Sequence, residues 1–486
     1  MAQSQTLSER LIRGLGAGLL GHAISLIARV LLPPLFLHAW GVEVYGEWLV
    51  LTAVAAYLVF SDFGSGLYVV NRMTQEFANG DLKALRKTLQ TAMALFVLLP
   101  AIVFILFAAA MLIVPIRDVL GLGKLTEGAA KFVVIMLALQ VALSLPQGLL
   151  LGAFRAVGQL PRGVMLANGL QLLQLVIVGV CLLRDLGPEW ISVYQLAPLV
   201  IVGLVAAWDL DRRFPALGVY RIGDVDMHLA RTFLKPSMHF FSIQVALALS
   251  VQGVILVAGL TLGAVQVVSF ATIRTLCNAM KSVFSLVATT AWPELTRLDS
   301  LRETKSLVSL FRAVLRTTMV GATLTVLLLY SYGEQIYQMW LAGTVVYDKQ
   351  LMVLFLLFLL QQVFWSTCSY FLMAVNAHHA LSGVMNASSV LSIGLAWVGA
   401  KHAGTVGLVI GMTVADLVLP LWFVPYLMMR HNSAFTFTFF LTEIVPPCLV
   451  VLVMFFHIPV ALVLLVFLTL WWWTAAKPIF LTQPRS

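Results

Sequence analysis

Apolar runs of about eighteen or more residues recur along the whole chain, each long enough to cross a hydrocarbon core of about 30 Å as a helix. Short polar breaks divide them into about fourteen predicted spans: 11–38, 45–70, 88–114, 131–153, 164–183, 191–208, 237–260, 264–290, 313–333, 350–375, 382–400, 405–429, 438–456 and 460–476. The two-residue alternation of a membrane barrel strand is absent. The expected fold is therefore an all-α polytopic membrane protein. Spans one to six would form an N-lobe over 1–208, and 209–236 a linker (DLDRRFPALGVYRIGDVDMHLARTFLKP). A C-lobe of six spans would follow over 237–429, and 430–486 would add two more spans and a tail.

The chain is organised around Arg29–Gly66, read as two helices joined by a tight turn at Gly41–Gly46. Pro33–Pro34 should bend the first of them, because proline removes a backbone donor and crowds the preceding turn. Trp40, Tyr45 and Trp48 fit an aromatic belt at the membrane surface, as do Trp471–Trp473. The basic loops 71–87 and 291–312 carry Leu and Phe at helical spacing among Lys and Arg, so each is read either as a short amphipathic helix on the inner surface or as a solvated loop held near anionic headgroups.

Composition agrees with this pattern: 61% of the 486 residues are hydrophobic and 10% charged. The net charge of +9 would suit nucleic acid, but its distribution has another cause. With the N-terminus inside, 21 of the 30 Lys and Arg lie on the cytoplasmic side. The positive-inside rule thus places both termini in the cytoplasm of a cell (inner) membrane, with no nucleic acid as partner. Cys181, Cys277, Cys368 and Cys448 show neither metal spacing nor a disulfide framework and read as packing residues. The first span, without a small-residue cleavage site, reads as an uncleaved signal-anchor.

A repeat runs at an offset of about 220 residues. GVEVYGEW (Gly41–Trp48) lies over GAVQVVSF (Gly263–Phe270), and RMTQEFANGDLKAL (Arg72–Leu85) over ELTRLDSLRETKSL (Glu294–Leu307). GVMLA (Gly163–Ala167) lies over GVMNA (Gly383–Ala387). An even number of spans per repeat gives two lobes of the same orientation.

The G-x-x-x-Y-G-x-W turn of Gly41, Tyr45, Gly46 and Trp48, followed by the D-x-G of Asp62 and Gly64, resembles the N-terminal signature of polysaccharide-repeat (O-antigen, Wzx-type) flippases. These belong to the multidrug/oligosaccharidyl-lipid/polysaccharide exporter superfamily. The two extra C-terminal spans look more like the branch that moves lipid-linked peptidoglycan precursors. The resemblance implies an exporter working by alternating access. It also implies, for some members, a coupling ion in the C-terminal lobe.

An ionisable residue in mid-bilayer costs about 3 kcal/mol on insertion scales and marks function by default. Arg29 sits about 14 Å below the outer end of the first span at 1.5 Å per residue, with Arg274 at similar depth in the eighth. Lys281 follows Arg274 by two helical turns, with Asn278 between. His22 precedes Arg29 by two turns, with Ser25 between. These stripes predict a cationic cleft in which arginine binds phosphate oxygens bidentately and lysine acts as a point charge. Asp62, near the depth of Lys281, is read either as its gate partner or as the cap of a helix broken at Gly64 and Gly66. Asp416, with Thr413 one turn before it, is a candidate for coupling to a proton or sodium ion, or for a structural hydrogen bond. Glu443 reads as interfacial.

The expected function is therefore a flippase for a prenyl pyrophosphate-linked oligosaccharide or polysaccharide repeat unit, working beside polymerase and assembly proteins. No cofactor is expected beyond a coupling ion. A cation-coupled multidrug exporter is the alternative, but it would want acidic cavity walls. A membrane glycosyl polymerase or ligase would need a large outer loop with catalytic residues, and the outer loops hold at most about twenty residues with no acid/base set. No metal motif, phosphate-binding glycine loop or nucleophile elbow occurs, so the chain reads as a transporter and not an enzyme.

Overall fold

The computed structural model describes residues 7–221, 223–375, 377, 379–456 and 467–474. These residues are helical throughout, without strands. The span expected at 460–476 lies mostly outside them; only 467–474 is described, as helix. Among the described residues, nine helices are long and apolar enough to cross a membrane. Two of them, at 18–62 and 380–431, have length for two crossings each. The chain is a multi-pass membrane protein. It divides into two compact units, Met1–Val268 and Ser269–Ser486.

The first unit opens with α1 (Leu7–Ala56), whose only non-helical residue is Gly41, at φ 70° and ψ 176°. That conformation is essentially closed to residues carrying a Cβ. The chain reverses there, and Phe36 stacks on Tyr45 at 5.1 Å while Trp40 meets Trp48 edge-on at 5.4 Å. Trp40, Tyr45 and Trp48 were expected as a surface belt. Instead Phe36, Tyr45 and Trp48 are buried and close the hairpin, and Trp40 Nε1 donates to the Leu186 carbonyl at 2.8 Å. The helix runs through Pro33–Pro34, so the reversal belongs to the glycine, where no side chain resists it.

A 3-10 turn at Tyr57–Asp62 leads to α2 (Ser65–Ala78), α3 (Leu82–Ile113), α4 (Ile116–Leu120) and α5 (Glu127–Ala156). Then come α6 (Leu160–Leu183), α7 (Pro188–Tyr194), α8 (Leu196–Arg213), α9 (Met227–Ala248) and α10 (Val254–Leu262). Helix α5 runs through the middle, touching α1, α2, α3, α6, α7 and α8. A core of Val69, Met73, Leu89, Leu149, Phe154 and Phe233 joins α2, α3, α5 and α9. Short polar residues start several helices by accepting orphan N–H groups, as N-caps do: Asp81 from Ala84, Thr126 from Ala129, and Asp226 from His228 and Leu229. The Lys87 ammonium, followed by those N–H donors, holds the Asp226 carboxyl down at about 2.

Gly263, which the repeat places over Gly41, has the same backbone conformation (φ 87°, ψ 172°) and separates α10 from α11 (Ala264–Ser300). The two glycine turns touch. A Cβ on Gly46 would fall 2.7 Å from the Ala264 carbonyl carbon and closer still to its oxygen. One on Gly259 of α10 would meet Val50 of α1 at 2.7 Å.

Glu47, 1% exposed, fixes the segment before α5. Its Oε1 accepts from the N–H groups of Gly123 and Lys124, both at 2.7 Å, and its Oε2 from Leu125 at 2.8 Å. Removing the carboxylate strands three donors. Glu47→Ala is expected to lose about 2 kcal/mol, at the usual cost of unsatisfied buried groups. Faster amide exchange at 121–125 would report it; unchanged exchange would refute the role.

The second unit continues α11 and adds α12 (Thr304–Leu341), α13 (Lys349–Ala374), α14 (His379–Val418), α15 (Pro420–His431) and α16 (Phe437–Phe456). Helix α14 turns at Ala403–Gly404. Its limbs pack through Gly399, Gly407 and Gly411, where an added Cβ would strike the facing backbone. Helix α13 touches α12, α14 and α15, and α16 lies on α12.

The two amphipathic surface helices fall elsewhere than expected. In the first unit that helix is α2, while residues 82–87 already belong to α3, because Gly80 (φ 73°) and the Asp81 cap restart the chain. In the second unit 291–300 extends α11, and a tight turn carrying Arg302 at φ 57° passes directly into α12.

Glu443, expected at the interface, is fully buried (0% exposed). Arg316 on α12 grips it with two bonds, Nε to Oε2 at 2.7 Å and a second guanidinium nitrogen to Oε1 at 3.0 Å. Arg312 approaches at 3.3 Å. Arg316 also donates to the Trp471 carbonyl and the Thr474 hydroxyl, and its guanidinium lies over the Trp471 ring at 4.3 Å. One arginine thus ties α12, α16 and the segment 467–474 together.

Candidate functional site

Each unit carries its own polar site. In the first, α1 and α6 approach closely, because Gly21 leaves room for Asn168, whose Oδ1 would lie 2.5 Å from a Cβ there. One turn on, Ser25 Oγ donates to Gln171 Oε1 at 3.1 Å. Beyond this the helices border an open cavity of about 320 Å³, with Arg29 and Gln171 exposed. Its polar lining is Ser25, Arg29, Gln171, Gln174 and Gln195, against apolar walls such as Ile24 and Val178. Arg29 is the one charged residue in that lining. Its placement follows from spacing: Ser25 and Arg29 lie one helical turn apart on α1, and Gln171 and Gln174 three residues apart on α6, so each pair shares a face. His22 is exposed and does not line the cavity.

In the second unit α11 presents Arg274, Asn278 and Lys281. The Arg274 guanidinium lies 5.6 Å over the Phe270 ring. Lys281 Nζ donates to Gln362 Oε1 at 2.8 Å and stands 5.8 Å from the Trp365 ring centre. Gln362 Nε2 points on to Asp416 Oδ2 at 3.4 Å, a long contact, and Trp365 Nε1 donates to the same oxygen at 3.2 Å. Ser388 Oγ donates to Asp416 Oδ1 at 3.1 Å. Lys281 and Asp416 are therefore the ends of one half-buried network, bridged by a glutamine amide that accepts from the cation and donates to the anion. Thr413 is outside it: its hydroxyl donates to the Val409 carbonyl at 2.7 Å, and its own carbonyl accepts from Gln361 at 3.0 Å. Asn278 is half-buried.

Asp62 belongs to the first unit, where Oδ1 accepts the Gly64 N–H at 2.8 Å and Oδ2 would lie 3.4 Å from a Cβ on Gly66. Ser65 Oγ donates to its carbonyl at 2.6 Å. These bonds lie in the turn that precedes α2, whose N-cap residue is Gly64; Lys281 bonds Gln362 in the second unit.

Sequence reasoning did not single out Gln171, Gln174, Gln195, Gln362, Trp365 or Ser388. The available signal was the 168, 171, 174 stripe of amides within an otherwise apolar span, a pattern that hydrocarbon-facing positions do not tolerate. Of Cys181, Cys277, Cys368 and Cys448, the first three are buried and the last exposed. Among the described residues no cluster of His, Cys, Asp or Glu is arranged to hold a metal.

No family model and no curated protein matches the chain. Solved structures do. A multidrug resistance MATE family transporter of the MOP superfamily, in an inward-facing conformation, superposes with a TM-score of 0.71 at 13% identity, over 84% of this chain and 95% of that one. The lipid II flippase MurJ, in an inward closed conformation, gives 0.67 at 12% identity, over 96% and 99%. A MATE structure in a bent conformation gives 0.54 at 14%, over 88% and 96%. The chain has the fold of the MOP-superfamily transporters and flippases.

Proposed function

We propose that the protein is a flippase for a saccharide linked to a prenyl pyrophosphate, acting in the cytoplasmic membrane with both termini inside. The observation that carries this reading is the Arg29 cavity: one cation among neutral amides, with no carboxylate in its lining. A phosphate oxygen would take paired bonds from the guanidinium, while a cationic drug would find repulsion. Arg274, with Asn278 as neighbour, is proposed as a second cationic position, within the second unit. The likeness to the lipid II flippase supports the choice. The prenyl chain can stay in lipid, so only the polar head needs a wet path.

The Lys281–Gln362–Asp416 network is proposed as the coupling element. A proton or sodium ion on Asp416 would cancel the charge that balances Lys281, and a ligand shifts an equilibrium only by such differences between states. Polysaccharide polymerase and assembly proteins would be the partners receiving the product. The likeness to a multidrug transporter keeps drug export as the second reading.

The test is reconstitution with labelled prenyl-pyrophosphate saccharide, measuring its exposure in the outer leaflet with and without an ion gradient. Arg29→Ala should slow exposure at least tenfold, about 1.4 kcal/mol and at the lower end for a hydrogen bond to a charged group. Equal rates for wild type and the Arg29→Ala/Arg274→Ala double variant would overturn the cationic site. Efflux of cationic dyes with no saccharide-lipid exposure would establish the second reading instead.

A further inference from the structure

We infer that the Ser25/Gln171/Gln174/Gln195 side of the cavity is a sugar subsite, which reads the ring nearest the phosphate through its hydroxyls. The inference rests on the flippase reading and adds what the first unit recognises beyond negative charge. Three primary amides line a single cavity of about 320 Å³. The Gln171 amide accepts from Ser25, whereas those of Gln174 and Gln195 make no hydrogen bond with another described residue.

Primary amides are costly beside hydrocarbon, because their donors and acceptors find no partner there. Two of them left open in a membrane-spanning bundle therefore point to a polar occupant. Each offers two N–H donors and a carbonyl acceptor, matching the donor-and-acceptor hydroxyls spaced around a pyranose. A phosphate alone would use the N–H groups and leave the amide carbonyls unsatisfied. A sugar uses both.

The position of the charge agrees. Arg29 stands one helical turn from Ser25 on α1, so a phosphate held by the guanidinium would set the first ring against the amides. At about 320 Å³ the cavity lies at the small end of the roughly 300–1,000 Å³ range of ligand sites, with room for one ring. Discrimination would come from stranded amides: a site built to bond hydroxyls disfavours a ligand without them.

The test is direct binding to the purified full-length protein. The probes are farnesyl pyrophosphate and its conjugates to glucose, galactose and N-acetylglucosamine. Wild type should bind at least one conjugate about tenfold or more tighter than farnesyl pyrophosphate. The Gln171→Leu/Gln174→Leu/Gln195→Leu variant should lose that ratio while keeping its affinity for farnesyl pyrophosphate, a retention that also shows the variant is folded. Arg29→Ala should weaken all probes by a similar factor. A triple variant that keeps the ratio, or a wild type that prefers none of the three conjugates, overturns the subsite. If the ratio behaves as expected but liposomes show no lipid exposure, the flippase reading fails and the sugar subsite stands.

Discussion

Glu443→Leu is expected to destabilise the second unit by about 3–5 kcal/mol, the usual cost of leaving a buried charge without its partner. The change removes the carboxylate that takes two bonds from Arg316 and a contact from Arg312. Arg316 would then keep only the Trp471 carbonyl and the Thr474 hydroxyl, both neutral. Replacing both partners with apolar residues of similar length removes the orphaned charge, so Arg316→Met/Glu443→Leu should recover most of the loss. Thermal unfolding in detergent, followed by loss of the monodisperse peak, would measure both. A double variant no more stable than Glu443→Leu alone would show that the ion pair is not the cause.

Gly46→Ala should be comparably damaging for a different reason. The new methyl group would press into the peptide unit of Ala264, with the carbonyl carbon 2.7 Å and the Cα 2.9 Å away. A backbone cannot swing aside as a side chain can. Overpacking of this kind costs about 3 kcal/mol or somewhat more. The matched control is Gly148→Ala on α5, where nothing lies within 4 Å of the added atom. It should leave the unfolding temperature unchanged or raise it, since alanine favours the helix over glycine. If both substitutions behave alike, the contact between the two turns is not holding the hairpins together.

What could be read in the chain beforehand divides along one physical line. The hairpin at Gly41 and its copy at Gly263 were legible, because each is a local event: two apolar runs and one residue free to take a positive φ. Partnerships across helices were not legible, since they depend on how each helix is rotated about its axis. Glu443 looked interfacial by depth, yet its partner Arg316 lies 127 residues away in sequence. Gln362 looked neutral and unremarkable, but it bridges Lys281 to Asp416.

The one-residue turns at Gly41 and Gly263 bear on how the protein enters its bilayer during synthesis. A conventional loop must carry a stretch of solvated backbone through hydrocarbon before the second limb can follow. Here the limbs of α1 meet around a single glycine, with Phe36, Tyr45 and Trp48 already packed between them. Such a pair is suited to partition from the translocation channel as one preformed wedge. Lengthening the Gly41 turn with serine and glycine would convert one insertion event into two. Biogenesis would then suffer before any contact of the finished fold was lost.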